Sequence, residues 1–129
     1  MSSLHTILLS LEGGLLAFGL NNEGQLGLGH KKEQWQPVEV PWDGPQTVQV
    51  SLGWFHSLVL DAEGGVWEAG QSRSPPSSLI FQQALELPPI ILISAGRSHS
   101  AAIDHEGGLW LWTSSPDPVL CTNSLPQRV

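Results

Sequence analysis

Three histidines at matching places in the chain are the residues best suited to chemistry. His5, His56 and His99 each stand eight positions before the first glycine of a Gly-Gly pair. Imidazole is a common zinc ligand and a common general base, so three such rings brought together could hold a metal or move a proton. Recurrence in every copy favours a structural role, because a catalytic or metal site is usually built once. We predict that each histidine hydrogen-bonds backbone groups inside its own unit.

The remaining reactive side chains form no convergent set in the sequence. Glu12, Glu63 and Glu106 occupy one turn position in each copy, so they are expected to be solvated turn residues and not an acid and base pair. His30 and His105 lack further ligands at zinc-site spacing. The only cysteine lies in a proline-rich tail and no Gly-x-Ser-x-Gly sequence occurs, so no nucleophile stands out. We predict no enzyme, no metal and no cofactor.

A glycine-rich run offers a second kind of chemistry. The stretch Gly24-Gln25-Leu26-Gly27-Leu28-Gly29 superficially resembles a phosphate-binding loop. It lacks the Gly-Lys-Ser/Thr ending, and no strand–loop–helix pattern surrounds it. Phosphate binding is therefore the weaker interpretation of this run.

The elements that position these residues are copies of one β-hairpin, at residues 5–19, 56–70 and 99–113. Each copy has two apolar runs around a Glu-Gly-Gly turn, where paired glycines supply the positive φ that a tight hairpin needs. The pairs predicted to be structural are Gly13 and Gly14, Gly64 and Gly65, and Gly107 and Gly108. Residues 48–53 match 91–96 as a further strand, and residues 37–40 read as a strand before it. Four short strands in about 40 residues have the size of a propeller blade.

The motifs of these copies resemble a known repeat. Leu16-Ala17-Phe18-Gly19-Leu20-Asn21-Asn22-Glu23-Gly24-Gln25-Leu26-Gly27-Leu28-Gly29, then Pro37-Val38, then Val50-Ser51-Leu52-Gly53-Trp54-Phe55-His56-Ser57 closely resemble the repeat of the regulator of chromosome condensation (RCC) family. The resemblance implies an all-β fold, a seven-bladed β-propeller of four-stranded antiparallel sheets. Residues 71–84 depart from the pattern because they lack the Asn-x-x-Gly-Gln-Leu-Gly stretch.

The number of repeats predicts an incomplete ring. At roughly 50 residues a blade, 129 residues make about two and a half blades, fewer than the four to eight of a closed propeller. We predict a repeat region over residues 1–113 and a proline-rich tail over residues 114–129, whose end at 125–129 resembles the first strand of a further blade. Open blades leave an unpaired edge and an apolar face. Either the chain is a fragment, or subunits complete a ring, for example three chains for seven blades.

Composition limits the partners and the compartment. Twelve carboxylates against five Lys and Arg residues give a formal charge of -7, which disfavours direct binding to nucleic acid. No apolar run approaches the ~18 residues of a membrane helix. The apolar start at residues 7–11 lacks the basic segment of a signal peptide. Cys121 stands alone, which is compatible with a reducing compartment. We predict a soluble cytoplasmic or nuclear protein.

The antiparallel order of the strands divides the loops between two rims. Turns that precede the histidines lie on one rim, and the Glu-Gly-Gly turns lie on the other. The first rim is predicted to bind a partner, because it receives four of the five basic residues together with aromatic side chains: Lys31, Lys32, Trp35, Trp54, Phe55, Arg73 and Arg97. The second rim is predicted to be acidic, with Glu12, Asp43, Asp61, Glu63, Asp104 and Glu106. The alternative is that both rims are simply solvated.

The resemblance implies several functions, among them nucleotide exchange on a Ran-type small GTPase, chromatin association, domains of ubiquitin ligases and inhibition of enzymes. A fold alone chooses none of them. We predict a non-catalytic protein–protein interaction module whose partner is a protein, such as a small GTPase or a basic protein. A guanine-nucleotide exchange factor or GTPase regulator is the first alternative, and an enzyme inhibitor is the second.

Overall fold

The computed structural model describes residues 5–71, 77–83, 87–97, 99–113 and 127–128, and these residues form eleven strands in three antiparallel sheets. The first sheet has the order β1 (His5–Leu9), β2 (Leu15–Gly19) and β3 (Gln34–Glu39). The second has the order β4 (Thr47–Leu52), β5 (His56–Asp61), β6 (Val66–Gln71) and β7 (Ser77–Gln83). The third contains β8 (Ile90–Ala95), β9 (His99–Asp104), β10 (Leu109–Thr113) and β11 (Gln127–Arg128). The all-β prediction is confirmed. Within these ranges, no helix has the length and apolarity to cross a membrane.

The outermost strand of the first sheet and that of the third sheet differ from the prediction. β3 pairs with β2, with Ala17 opposite Val38, and β11 pairs with β10, with Leu111 opposite Gln127. The sequence placed residues 37–40 in the blade that follows, and residues 125–129 in a blade beyond the third. Both assignments are wrong for the described strands. The physical reason is that each of these strands forms an antiparallel pair with the free edge of the hairpin that precedes it.

The two glycines of each hairpin turn have different functions. Gly13, Gly64 and Gly107 have φ of 84°, 86° and 85°, which a residue with a side chain adopts only with strain. The second glycine has no positive φ, so the prediction that both supply it is wrong. At Gly65, an added Cβ would lie 2.6 Å from Asp61 Oδ2, and the Gly65 N–H donates to Asp61 Oδ1 at 2.8 Å. Because Gly65 has no side chain, the Asp61 carboxylate can approach its backbone and cap the turn.

The core lies in two layers between successive sheets. All six residues of β5 are buried, because the central sheet is covered on both faces. Val59 and Ala69 pack with Ala17 in the layer between the first and second sheets. Leu58 and Val66 point the other way and pack with Ala102 in the layer between the second and third sheets. Each fully buried Val or Leu contributes about 1.5–3 kcal/mol.

The outer faces of the first and third sheets remain open. We call the outer face of the first sheet the leading face; it carries the cross-strand pairs Thr6 with Phe18 and Leu8 with Leu16. We call the outer face of the third sheet the trailing face; its residues are His99, Ala101, Ile103, Leu109 and Leu111. Leu8 is 47% exposed and Leu111 is 41% exposed. The three sheets of the described residues are an incomplete propeller, and three such sets would bring nine sheets, beyond the four to eight of typical rings. The expected three-chain ring of seven blades does not fit this count.

Candidate partner-binding surface

Two of the three repeated histidines join neighbouring sheets. His5 Nε2 lies 3.0 Å from Ser57 Oγ, and His56 Nε2 lies 3.1 Å from Ser100 Oγ. Each serine belongs to the sheet that follows its histidine. The prediction that these rings bond backbone groups within their own sheet is therefore wrong for Nε2. The rings do not converge on a shared centre, and no group of three or more His, Cys, Asp or Glu side chains in the described residues could hold a metal ion.

The hydrogen bonds define the protonation of His5. Ser57 has one hydroxyl proton, which it donates to the Gln25 carbonyl at 2.6 Å. Ser57 Oγ must therefore accept its bond from His5, so the His5 proton sits on Nε2. Burial lowers the pKa of His5 to about 4, against a smaller opposing effect of its hydrogen bond to the His56 backbone. Burial, together with repulsion from His5 and His99, lowers the pKa of His56 to about 4.

His99 occupies the equivalent position without a following sheet. An added Cβ on Gly96 would lie 2.5 Å from His99 Nε2, whereas one on Gly53 would contact the Cε1–Nδ1 edge of the His56 ring. Each ring therefore lies over the glycine three residues before it. Among the described residues no fourth sheet follows the third, and the His99 side chain is exposed.

The loop between β2 and β3 is a rigid support for the predicted basic residues. The Asn21 side chain is buried and donates to the carbonyls of His30 and Lys32 at 2.7 and 3.0 Å, and it accepts from the Leu26 N–H at 3.0 Å. Lys31 and Lys32 are exposed at the end of this loop. The asparagine of the repeat motif thus fixes the backbone that carries both lysines.

The backbone of the glycine-rich run serves the loop itself. The N–H groups of Gly24 and Gly27 donate to the carbonyls of Asn21 and Gly24, and the Gly29 N–H donates to the Leu79 carbonyl at 2.8 Å. A phosphate loop needs such N–H groups directed at its ligand. Since these donors are already bonded within the protein, the geometry does not support the phosphate-binding interpretation.

The closest association among the predicted partner-binding residues is between Trp54 and Arg97. The Arg97 guanidinium carbon lies 4.3 Å from the centre of the Trp54 ring, and the backbone N–H of Trp54 donates to the backbone carbonyl of Arg97 at 3.4 Å. Trp54 is 40% exposed, Arg97 is exposed, and Phe55 beside them is half-buried. Both residues follow the glycine that precedes a histidine, so alignment of the copies contained the signal for this pair.

The other predicted residues lie at the same end of the sheets. Trp35 is 61% exposed at the start of β3, next to the loop with Lys31 and Lys32. Arg73 lies outside the described residues. We call the described members of this surface the basic rim: Lys31, Lys32, Trp35, Trp54, Phe55 and Arg97. The structure brings Trp54 and Arg97 into contact, and it places the remaining members at the same end of the sheets.

The opposite rim carries less exposed charge than predicted. Asp61 and Asp104 are each 4% exposed, so their assignment as rim charges is wrong. Asp104 accepts from the Glu106 and Gly108 N–H groups and from the indole of Trp110, which makes it a turn cap. The exposed acids form what we call the acidic rim: Glu12, Asp43, Glu63 and Glu106.

Comparison with known proteins agrees with this architecture. Residues 12–60 match the family model described as the regulator of chromosome condensation (RCC1) repeat. The chain therefore contains an RCC1 repeat over residues 12–60. The ultraviolet-B receptor UVR8 of Arabidopsis thaliana is 37% identical over 71 residues, which are 54% of this chain and 16% of the receptor. The secretion-regulating guanine nucleotide exchange factor of Bos taurus is 33% identical over 92 residues, which are 64% of this chain and 20% of that factor.

Solved structures contain the same fold over about a third of their length. Human WBSCR16 superposes with a TM-score of 0.86 at 19% identity, over all of this chain and 36% of that chain. Prp20p from Saccharomyces cerevisiae, whose structure was described with its binding properties to Gsp1p and histones, superposes with a TM-score of 0.81 at 18% identity, over 37% of its length. At such identities the likeness shows the fold alone. This chain thus spans well under two thirds of the length of each of these proteins.

Proposed function

We propose that this RCC1-repeat chain is a non-catalytic protein-binding module and that the basic rim binds its partner. The observation that carries the proposal is the Arg97–Trp54 stack, a cation held over an indole at 4.3 Å on an exposed turn. Arg and Trp are the residue types most enriched where binding energy concentrates in interfaces. Because the stack is already formed in the chain alone, little side-chain entropy is lost when a partner binds it.

The chemistry of the basic rim indicates an acidic protein surface as the partner. A guanidinium donates two parallel hydrogen bonds to a carboxylate, and the exposed lysines add attraction that depends on salt. Lys31 and Lys32 are exposed on a loop that Asn21 holds in place. The acidic rim, on the opposite side, would suit a basic protein by the same argument. We place the module in the cytoplasm or nucleus, which agrees with its single cysteine.

Affinity capture with three versions of the chain tests this proposal. The baits are the wild-type chain, a basic-rim variant (Lys31→Glu, Lys32→Glu, Arg97→Glu) and an acidic-rim variant (Glu12→Lys, Glu63→Lys, Glu106→Lys). All six positions are exposed, so both variants should fold. We expect quantitative mass spectrometry to find proteins that the wild-type and acidic-rim baits retain and the basic-rim bait loses. Equal recovery of every protein by all three baits would contradict the proposal.

A second candidate function is regulation of a small GTPase. The similarity to the bovine exchange factor over 64% of this chain favours it. An exchange factor acts by binding the GTPase and displacing its nucleotide, and this needs no nucleophile in the chain. The test is the rate at which fluorescent GDP leaves a recombinant Ran-type GTPase. Acceleration by the wild-type chain and not by the basic-rim variant would establish this function; an unchanged rate, with a partner still captured through the basic rim, would leave the module as a binding protein only.

A further inference from the structure

The leading and trailing faces belong to opposite sides of one repeated interface. In the contact between the first and second sheets, His5 bonds Ser57; in the contact between the second and third, His56 bonds Ser100. The histidine always comes from the earlier sheet, and the hydroxyl always comes from the position after the histidine in the next copy. On the open faces these two positions are His99 and Thr6.

The apolar residues of the two faces follow the same correspondence. Leu8 occupies the position of Val59, which is fully buried against the first sheet, and Leu109 occupies the position of Val66, which is 3% exposed. Leu8 and Leu109 are themselves 47% and 37% exposed. Both faces therefore carry side chains of the type that internal contacts bury. Contiguous exposed apolar patches mark interaction sites.

One further pair of positions shows that the two faces are compatible. In the contact between the first and second sheets, Ala17 packs in the same cluster as Ala69. In the contact between the second and third sheets, the equivalent residues are Glu68 and Trp112, and Glu68 accepts a hydrogen bond from the Trp112 indole at 2.6 Å. The corresponding positions on the open faces are Leu111 on the trailing face and Phe18 on the leading face. Leu111 and Phe18 are both apolar, so their contact would bury no carboxylate or indole N–H without a hydrogen-bond partner.

We propose that the trailing face of one copy of this chain binds the leading face of a second copy, head to tail, with His99 donating to or accepting from the hydroxyl of Thr6. The contact continues the geometry of the two internal contacts. It is heterologous, because each copy offers a different face, so it extends to further copies or closes a ring according to the rotation it imposes. The proposal is independent of partner binding at the basic rim.

Complementation between two surface variants tests the proposal. Leu8→Asp places a charge on the leading face and Leu111→Asp places one on the trailing face, both at exposed positions. We expect sedimentation velocity to show self-association of the wild-type chain, and monomers for each variant alone. An equimolar mixture should form a dimer that grows no further, because each variant keeps one intact face. Formation of that dimer would also show that both variants are folded.

Two results would overturn the proposal. The first is a wild-type chain that sediments as a monomer at every concentration. The second is a single variant that still dimerises, because that would require a face to bind its own kind. The hydrogen bond is tested by a double-mutant cycle: His99→Ala and Thr6→Val should each weaken association about tenfold, and the double variant should be no weaker than either. Additive losses would show that the two residues do not meet.

Discussion

Glu68 Oε1 accepts a hydrogen bond of 2.6 Å from the indole N–H of Trp112, across the contact between the second and third sheets. Both side chains are buried, at 8% and 6% exposure. A carboxyl group within a strand that packs between two sheets is unusual, and burial raises the pKa of Glu68, with the Trp112 bond opposing this effect. The pair is a second buried side-chain hydrogen bond in this contact, beside the bond between His56 and Ser100.

Removing the indole donor should destabilise the chain. In Trp112→Phe the buried Glu68 carboxyl loses its partner, which should lower the free energy of unfolding by about 1–3 kcal/mol. Trp110→Phe is the matched control, because Asp104 keeps two backbone donors when that indole is lost; a loss of about 1 kcal/mol or less is expected there. Urea denaturation at neutral pH measures both. A smaller loss for Trp112→Phe than for Trp110→Phe would contradict the assignment.

Glu68 should also give the chain a specific dependence on pH. Its folded pKa is raised, so the folded state binds the proton more tightly than the unfolded state does. The contribution of Glu68 to stability is therefore greatest below its unfolded pKa and falls as the pH rises through its folded pKa. Glu68→Gln should remove this decline, so its stability relative to the wild type should increase with pH from about 4.5 upwards. A constant difference at all pH values would show that the pKa is not raised.

The buried histidines should act in the opposite direction. The pKa of His56 falls from 6.5 to about 4 on folding, so the unfolded state binds more protons between these values. Stability is fully present above pH 6.5 and is lost as the pH falls towards 4, by on the order of 3 kcal/mol. His56→Gln should reduce the slope of unfolding free energy against pH in this window, as measured by urea denaturation at several pH values. An unchanged slope would show that folding does not lower the pKa of His56.

Two glycines at the same turn position separate backbone strain from packing. Gly64 and Gly107 have φ of 86° and 85°, but an added Cβ would lie 2.9 Å from the Ile90 nitrogen at Gly64 and meet nothing within 4 Å at Gly107. Gly107→Ala should lower the free energy of unfolding, measured by urea denaturation, by the backbone strain alone, on the order of 1 kcal/mol. Gly64→Ala should cost more, because the turn must also move away from β8. Equal losses would show that the turn adapts freely.

Much of the fold could be predicted from the sequence because the copies keep a fixed distance between the histidine and the glycine pair. That distance sets the length of each hairpin, and alternation of side chains sets its faces. The prediction gives the outermost strands to the wrong sheet. The sequence of residues 37–40 is compatible with the first or the second sheet, and only the observed pairing with β2 shows that it belongs to the first. The sequence does not show that Asp61 is buried. The Asp61 carboxylate approaches the Gly65 N–H only because of the shape of the turn, which the sequence alone does not give.

The candidate surface was predicted in part. Antiparallel order placed Lys31, Lys32 and Trp35 on the rim of Trp54 and Arg97, because strand direction follows from counting hairpins. The sequence did not predict the contact between Trp54 and Arg97, which arises only when two neighbouring sheets bring equivalent turns together. The histidine-to-serine bonds were missed for the same reason: they join residues 52 and 44 positions apart.

Charge reversal on the basic rim provides the most direct test of the central claim, that this RCC1-repeat module binds a protein through that rim. The measurement is the dissociation constant, by titration, between the chain and a protein that it captures. Lys31→Glu, Lys32→Glu and Arg97→Glu together should weaken binding by at least about tenfold, and the acidic-rim variant should bind as the wild type does. Equal affinity of the basic-rim variant and the wild type would contradict the claim.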